Sequence, residues 1–164
     1  MRCLILALFL LIAALPVQAF AEARSICYSA NEAEAEQGIR IHSELMVISL
    51  NCQHMFPQRP KTLYQKYREF TARHGTLIAE YERTLINHYA REQVYDPVSE
   101  INTVRTNFAN KISNDAAKMR PDMFCKVYGP RIDRAAKMSD RDVREWANTF
   151  FPGHPVSRPL CNPL

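Results

Sequence analysis

The sequence predicts an all-α protein, an irregular bundle of four to five helices with two disulfides and an extended Pro-rich C-terminal tail. Three observations support this fold class. Apolar residues recur at steps of three and four along most of the chain, which is the period of a helix with one buried face. The 164 residues include only 4 glycines, and no strand-like alternation runs far. An even number of cysteines remains beyond an N-terminal leader, as in exported proteins that form disulfides.

The leader has the layout of a secretory signal peptide. Arg2 precedes an unbroken apolar run over residues 4–15, and Pro16 and several small residues follow. The run is shorter than the roughly 20 residues that a membrane-spanning helix needs. A positive start, a short apolar centre and a small-residue end are typical of a segment that is removed on export.

We therefore predict that residues 1–21 are a signal peptide, with cleavage after Ala19 or Ala21. The remaining residues, 22–164, are expected to form a single helical domain that ends in the tail 152–164. Because no later apolar run is long enough to span a bilayer, we expect no stable membrane insertion after cleavage. The predicted location is periplasmic or secreted.

Four cysteines belong to the predicted mature chain, since Cys3 lies in the leader. Their spacing fits no zinc finger, redox or haem motif, so an oxidising compartment favours disulfides. Three pairings are possible. We favour Cys27–Cys161 and Cys52–Cys125, because the first two lie in irregular terminal segments and the other two lie on or beside apolar helical faces.

The first predicted helix covers residues 31–55. Asn31 can cap it, with Glu34 three residues later in the manner of a capping box. Met46 and Leu50 are expected to widen its core stripe. That stripe follows steps of four and three and consists of Ile41, Leu45, Ile48, Cys52 and Met55.

The second predicted helix covers residues 61–92 without interruption. Gly75 inside it costs about 1 kcal/mol relative to alanine and marks a bend or a close crossing. Tyr67, Phe70 and Tyr81 are core candidates, with a ligand groove as the alternative. The complete seam consists of Leu63, Tyr67, Phe70, His74, Leu77, Tyr81, Leu85 and His88.

Two more helices follow. The third begins at Asp96-Pro97, a capping residue followed by proline at the first position, and ends near Met119. The fourth covers residues 122–137, and Pro130 is expected to break or kink it because proline removes one backbone bond and clashes with the preceding turn.

A short last helix begins at Ser139 and ends near Phe151. Trp146 and Phe150 share one of its faces and are expected to pack it onto the body of the protein. The tail 152–164 is rich in proline and is therefore predicted to be extended.

The chain carries no recognisable metal, cofactor or nucleic-acid motif. His42 and His54 fall on different faces of a helix, and His74 and His88 share a face but lie about 21 Å apart along its axis, too far to hold one ion. The net charge of +4 comes from intermixed signs rather than from a basic patch. We expect no cofactor, no metal site and no nucleic-acid partner.

Acid–base pairs give no better indication of catalysis. Asp133 with Lys137, and Asp140 with Arg144, are spaced as solvated i,i+4 pairs on helix surfaces. No serine or cysteine lies in a pattern that marks a nucleophile. No catalytic residue is therefore predicted.

The stretch SELMVISLNCQHM at residues 43–55, followed by Tyr67, Phe70 and a late Phe124-Cys125, resembles a group of small exported four-cysteine helical proteins of Gram-negative bacteria. The resemblance covers residues 40–130 loosely. It implies a periplasmic setting and a helical fold with disulfides. It implies no activity, and it carries no functional residue over to this chain.

Three classes of function remain. The favoured one is a non-catalytic binding or structural protein of the cell envelope whose partner is another protein, because each helix shows a single inward stripe and motif-level chemistry is missing. The alternative is a carrier of a small apolar ligand in a cavity lined by Tyr67, Phe70 and Tyr81. The second alternative is a hydrolase whose site only the fold assembles.

Overall fold

The structure, a computed structural model, describes residues 26–149 and 153–161. The predicted signal peptide lies outside these residues. Six helices and no strand occur within them, so the all-α prediction is confirmed. The helices are α1 Ala30–Cys52, α2 Leu63–Arg73, α3 Gly75–Arg91, α4 Pro97–Lys118, α5 Pro121–Ala135 and α6 Asp140–Ala147.

Helix α1 lies at the centre of the fold and contacts each of the other five helices. Its cap lies two residues earlier than the sequence suggests. Ser29, in an extended conformation, accepts a hydrogen bond from the backbone of Glu32, whose carboxylate accepts one from the Ser29 N–H at 2.7 Å. This reciprocal pair is a capping box. The predicted cap at Asn31 with Glu34 is wrong, because Asn31 is already inside the helix.

The second predicted helix is two helices, which is why the structure has more helices than the four to five expected. His74 separates α2 from α3 with φ −99° and ψ 15°, outside the helical region, and Gly75 is the first residue of α3. This interruption does not change which residues are buried. All eight residues of the predicted seam, from Leu63 to His88, are buried.

Helix α5 continues through Pro130 without a break, so the break that was one of the two expected outcomes does not occur. Proline removes the bond to the carbonyl four residues earlier, at Lys126. Both residues lie on the exposed side of α5, where water can satisfy that carbonyl. The predicted starts of α4 and α6 are confirmed, with Asp96 and Ser139 as their caps.

Two disulfides connect distant parts of the chain, in the pairing that the sequence favours. Cys52, at the end of α1, is bonded to Cys125 near the start of α5, with 5.5 Å between their Cα atoms. Cys27 is bonded to Cys161, with 5.0 Å between their Cα atoms. Beside this second bridge, Tyr28 pairs with Leu160 in a single parallel β-bridge. This β-bridge and the disulfide attach the described part of the tail, residues 153–161, to the segment that precedes α1. From here on, the tail means these residues.

The apolar face of α1 packs into the core as predicted. It consists of Ile41, Leu45, Ile48 and Cys52, each at most 1% exposed. Met55, the predicted last residue of the stripe, lies beyond the end of α1 and is 36% exposed. The expected widening of the stripe is wrong, since Met46 and Leu50 are 36% and 45% exposed.

No helix in the described part of the chain is long and apolar enough to cross a membrane. The two disulfides fit an oxidising compartment.

Candidate functional site

A second side of α1 is buried although its residues are charged. Glu32, Glu36, Arg40 and Glu44 follow one another at steps of four and therefore share a face, and Gln37 adjoins them. Each is at most 7% exposed. These five residues are called the polar face of α1. This face could not be predicted from the sequence, because charges at i,i+4 spacing normally indicate a solvated surface.

The tail covers the polar face of α1. The carboxylate of Glu36 accepts hydrogen bonds from the backbone N–H of Ser157, at 2.7 Å, and from its hydroxyl. The Gln37 amide donates to the backbone carbonyl of His154 at 3.1 Å. Tyr28 contributes its hydroxyl, which lies 3.2 Å from the Ser157 hydroxyl. The tail thus supplies partners that a buried polar helix face requires.

A buried ion triad continues this face toward α5. Nη1 of Arg40 lies 2.9 Å from one Glu44 oxygen, and Nη1 of Arg131 lies 3.1 Å from the other. Gln37 accepts a further bond from Nε of Arg40. Nη2 of Arg40 makes no hydrogen bond within the described part of the chain. A guanidinium that is 3% exposed therefore retains unused donors.

A cavity of about 670 Å³ opens beside this triad, bordered by α1, α5, α6 and the tail. Four cations line it, namely Arg40, Arg131, Arg134 and Lys137. It is called the basic cavity. Its other described lining residues are Met138, Asp142, Glu145, Trp146, Thr149 and His154.

Two of the four cations have no ion-pair partner among the described residues. Arg134 and Lys137 lie near the end of α5, on its exposed side. The expected pair of Lys137 with Asp133 does not form, because Asp133 binds Arg59 at 2.8 Å and Lys66 at 2.6 Å instead. These two cations lower the pKa of Asp133 against the opposing effect of its burial.

His154 shows the electrostatic character of the basic cavity. Its Nδ1 is buried and has no hydrogen-bond partner among the described residues, and it lies 3.7 Å from Glu44. Burial first, and then the charge of Arg40, lowers the pKa of His154, with further cationic contributions from Lys111 and Arg131. The imidazole is therefore neutral at pH 7 and adds no positive charge there.

Trp146 lines the basic cavity and is only half-buried. Its contact with the core agrees with the expected packing of α6 onto the body. Phe150, the other expected contact, lies outside the described residues. The expected surface pair of Asp140 with Arg144 does not form, since Arg144 pairs with Glu34 at 3.0 Å and with Glu80 at 2.7 Å.

The three residues of the predicted ligand groove lie in the core and do not line the basic cavity. The Tyr67 hydroxyl lies 3.0 Å from Nε2 of His42. Phe70 is 2% exposed. The Tyr81 hydroxyl donates to Glu34 at 2.8 Å, and burial raises the pKa of Tyr81 far above its usual value. The Tyr81 ring lies so close to Gly38 that any added Cβ would overlap it.

Buried histidines elsewhere offer no complete catalytic arrangement. Nδ1 of His74 contacts the carboxylate of Asp140. Nε2 of the same histidine has no hydrogen-bond partner among the described residues. A base of the histidine–carboxylate type needs a nucleophile at that second nitrogen. Across the described residues, no three His, Cys, Asp or Glu side chains are grouped to hold a metal ion.

Comparison of the chain with protein-family models, with curated proteins and with solved structures gives no significant match.

Proposed function

We propose that this chain is a non-catalytic binding protein of the cell envelope and that its ligand occupies the basic cavity. The observation that carries the proposal is the buried guanidinium of Arg40, which lines the cavity with unused donors. Concave sites of 300–1,000 Å³ with a few convergent polar groups are typical of ligand binding. The export signal over residues 1–21 and a periplasmic or secreted location are part of this proposal.

The proposed partner is another protein, which inserts a side chain or a chain end into the basic cavity. A free small molecule is the second candidate, favoured by the volume of the site, about 670 Å³. A carrier function at Tyr67, Phe70 and Tyr81 has less support, because those rings contact core residues. A hydrolase has less support, because the histidine–carboxylate contact at His74 lacks a nucleophile.

The test uses charge reversal at the cavity. The oxidised mature protein is incubated with envelope extract, recovered, and analysed for retained proteins and, by native mass spectrometry, for retained small molecules. The variant Arg134→Glu/Lys137→Glu changes two exposed cavity residues. The matched control Arg83→Glu/Lys126→Glu makes the same change in charge at two exposed residues that do not line the cavity.

We expect a component that the wild type and the control retain and that the cavity variant loses. A component retained equally by all three proteins would contradict the assignment of the site. If the wild type retains neither a protein nor a small molecule, the binding function is contradicted. Chemical conversion of a retained molecule on prolonged incubation would show an enzyme instead.

A further inference from the structure

The ion triad beneath the basic cavity is unbalanced in charge. Arg40 and Arg131 share one carboxylate, that of Glu44. The side chains of Arg40 and Glu44 are 4% and 6% exposed, and that of Arg131 is 29% exposed. Arg40 and Glu44 form the buried pair, so the surplus positive charge is that of the partly exposed Arg131. One positive charge at the cavity wall therefore lacks a counter-ion within the triad.

The cavity interior is positive, whereas the rest of its charged lining carries both signs, namely Arg134 and Lys137 beside Asp142 and Glu145. The interior holds Arg40 and Arg131, whereas the carboxylates on the opposite wall come from α6. Glu145 has a side chain that is 72% exposed, and the carboxylate of Asp142 accepts hydrogen bonds from the backbone N–H and the hydroxyl of Ser139. Because electrostatic interactions strengthen as water is excluded, the buried cations determine the preferred charge of an occupant.

The lining also has an apolar part. Trp146 and Met138 border the cavity beside the cations. The aromatic ring of a ligand can stack on an indole, while a planar oxyanion suits the forked donors of a guanidinium.

We propose that the basic cavity binds its ligand through an oxyanion group, a carboxylate or a phosphate, that provides the missing counter-charge of the Arg40–Glu44–Arg131 triad. The planar apolar part of the ligand lies against Trp146. This inference rests on the proposed binding function and specifies the chemistry of the same site. The lowered pKa of His154 is consistent with it, since the cations around that ring disfavour a further positive charge.

The chain contains one tryptophan, so the indole N–H of Trp146 gives a single resonance that reports on this cavity. The mature, oxidised protein labelled with ¹⁵N is titrated with benzoate, with benzamide as the neutral isostere, and with inorganic phosphate. To separate a free small ligand from a protein chain end, a peptide ending in phenylalanine is added either as the free acid or as the amide.

We expect a saturable shift of the indole resonance with benzoate or phosphate and a response to benzamide that is at least about tenfold weaker, because charged hydrogen bonds contribute about 1.5–3 kcal/mol. The variants Arg131→Gln and Arg134→Gln should each weaken benzoate binding several-fold. Lys126→Gln, on the same helix but outside the cavity, should leave binding within about twofold. Arg134 has no ion pair within the described residues, so its variant tests the site even if Arg131→Gln unfolds.

Equal binding of benzamide and benzoate, or undiminished binding in Arg134→Gln, would overturn the oxyanion assignment while leaving the binding function intact. The absence of any saturable shift with every probe up to about 10 mM would also overturn the oxyanion assignment. The proposed function would then still stand if a retained component from envelope extract depends on the cavity, and it would fail if none does.

Discussion

The apolar and the polar faces of α1 are buried to the same degree but are covered by different parts of the chain. The apolar face, typified by Leu45 and Ile48, belongs to a core shared with the other helices. The polar face, typified by Glu36 and Glu44, is covered by the tail and by cations of its own and neighbouring helices. Burial alone stabilises the first face, whereas the second depends on matching each charged group with a specific partner.

The two faces of α1 are expected to respond differently to substitution. An apolar face accepts any neighbour of suitable volume, so substitutions there have graded effects. A polar face is stable only while its partners remain in place, so the loss of one group leaves another unpaired. The predictions below test that distinction by unfolding measurements on the mature, oxidised protein.

The largest effect is expected when Glu44 is removed. Glu44→Ala leaves Arg40 buried without its carboxylate and should reduce the free energy of unfolding by about 3–5 kcal/mol. Urea unfolding followed by circular dichroism measures the change. The triple variant Arg40→Met/Glu44→Leu/Arg131→Leu replaces the whole triad by apolar groups and should be close to wild type or more stable. A loss below about 1 kcal/mol for Glu44→Ala would show that the polar face is not specifically paired.

On the apolar face, Leu45→Ala should reduce the free energy of unfolding by about 3 kcal/mol, because it removes buried methyl groups and leaves a cavity. Leu45→Met keeps the volume and should cost less than about 1.5 kcal/mol. The loss for Leu45→Ala should be the same at pH 5 and pH 8, since no titrating group is involved. A strong pH dependence would mean that the two faces are not independent.

Near the apolar face of α1, Gly38 lies against the ring of Tyr81. Gly38→Ala should destabilise by about 2 kcal/mol, because the new Cβ forces a buried, hydrogen-bonded tyrosine to move. The control is Gly75→Ala, where no atom lies within 4 Å of the added Cβ. That change should stabilise by about 0.5 kcal/mol. Thermal unfolding of both variants measures these changes in stability. Equal effects at the two glycines would contradict the close packing of Gly38 against Tyr81.

At the tail, Ser157→Ala removes a hydroxyl that donates to Glu36 but leaves the backbone N–H bond in place. The expected loss is about 1 kcal/mol. Thr103→Ala, which removes an exposed hydroxyl bond within α4, is the control and should change stability by less than about 0.5 kcal/mol. Similar values for the two variants would show that the tail is a peripheral cover rather than a partner of the polar face.

The smallest effect concerns pH. Burial alone would raise the pKa of Glu32, but hydrogen bonds from Ser29 and the charge of His88 lower it. A carboxylate with a lowered pKa in the folded state adds stability above its ordinary value of 4.5, and this contribution is lost as the pH falls through the folded pKa. The stability difference between wild type and Glu32→Gln should therefore shrink from pH 7 to pH 3. A constant difference would contradict the lowered pKa.

Periodicity was sufficient to predict which apolar residues the helices bury, although not where each helix begins and ends. The seam from Leu63 to His88 is buried along its whole length, and the cysteines pair as their positions suggest. Gly75 indicated a bend or a close crossing, but the division into two helices at His74 could not be predicted from periodicity, because the same residues stay buried whether the helix is continuous or interrupted.

The basic cavity could not be predicted, because its parts lie far apart in sequence and resemble surface charges. Arg40 and Glu44 are spaced like any solvated i,i+4 pair, and only the third partner, Arg131, and the tail make them interior groups. Lys137 was assigned to Asp133 for the same reason. Local spacing identifies which pairs are possible, and tertiary contacts decide which of them form.

Helix α1 also acts as a spacer between two cysteines. Cys27 precedes it and Cys52 ends it, and its 23 residues extend over about 35 Å. Disulfide formation requires Cα atoms within about 7 Å of each other. Once α1 has formed, Cys27 and Cys52 are too far apart to be joined by a disulfide. Each of them must therefore pair with a cysteine from the C-terminal third of the chain, so the length of one helix excludes one of the three possible pairings.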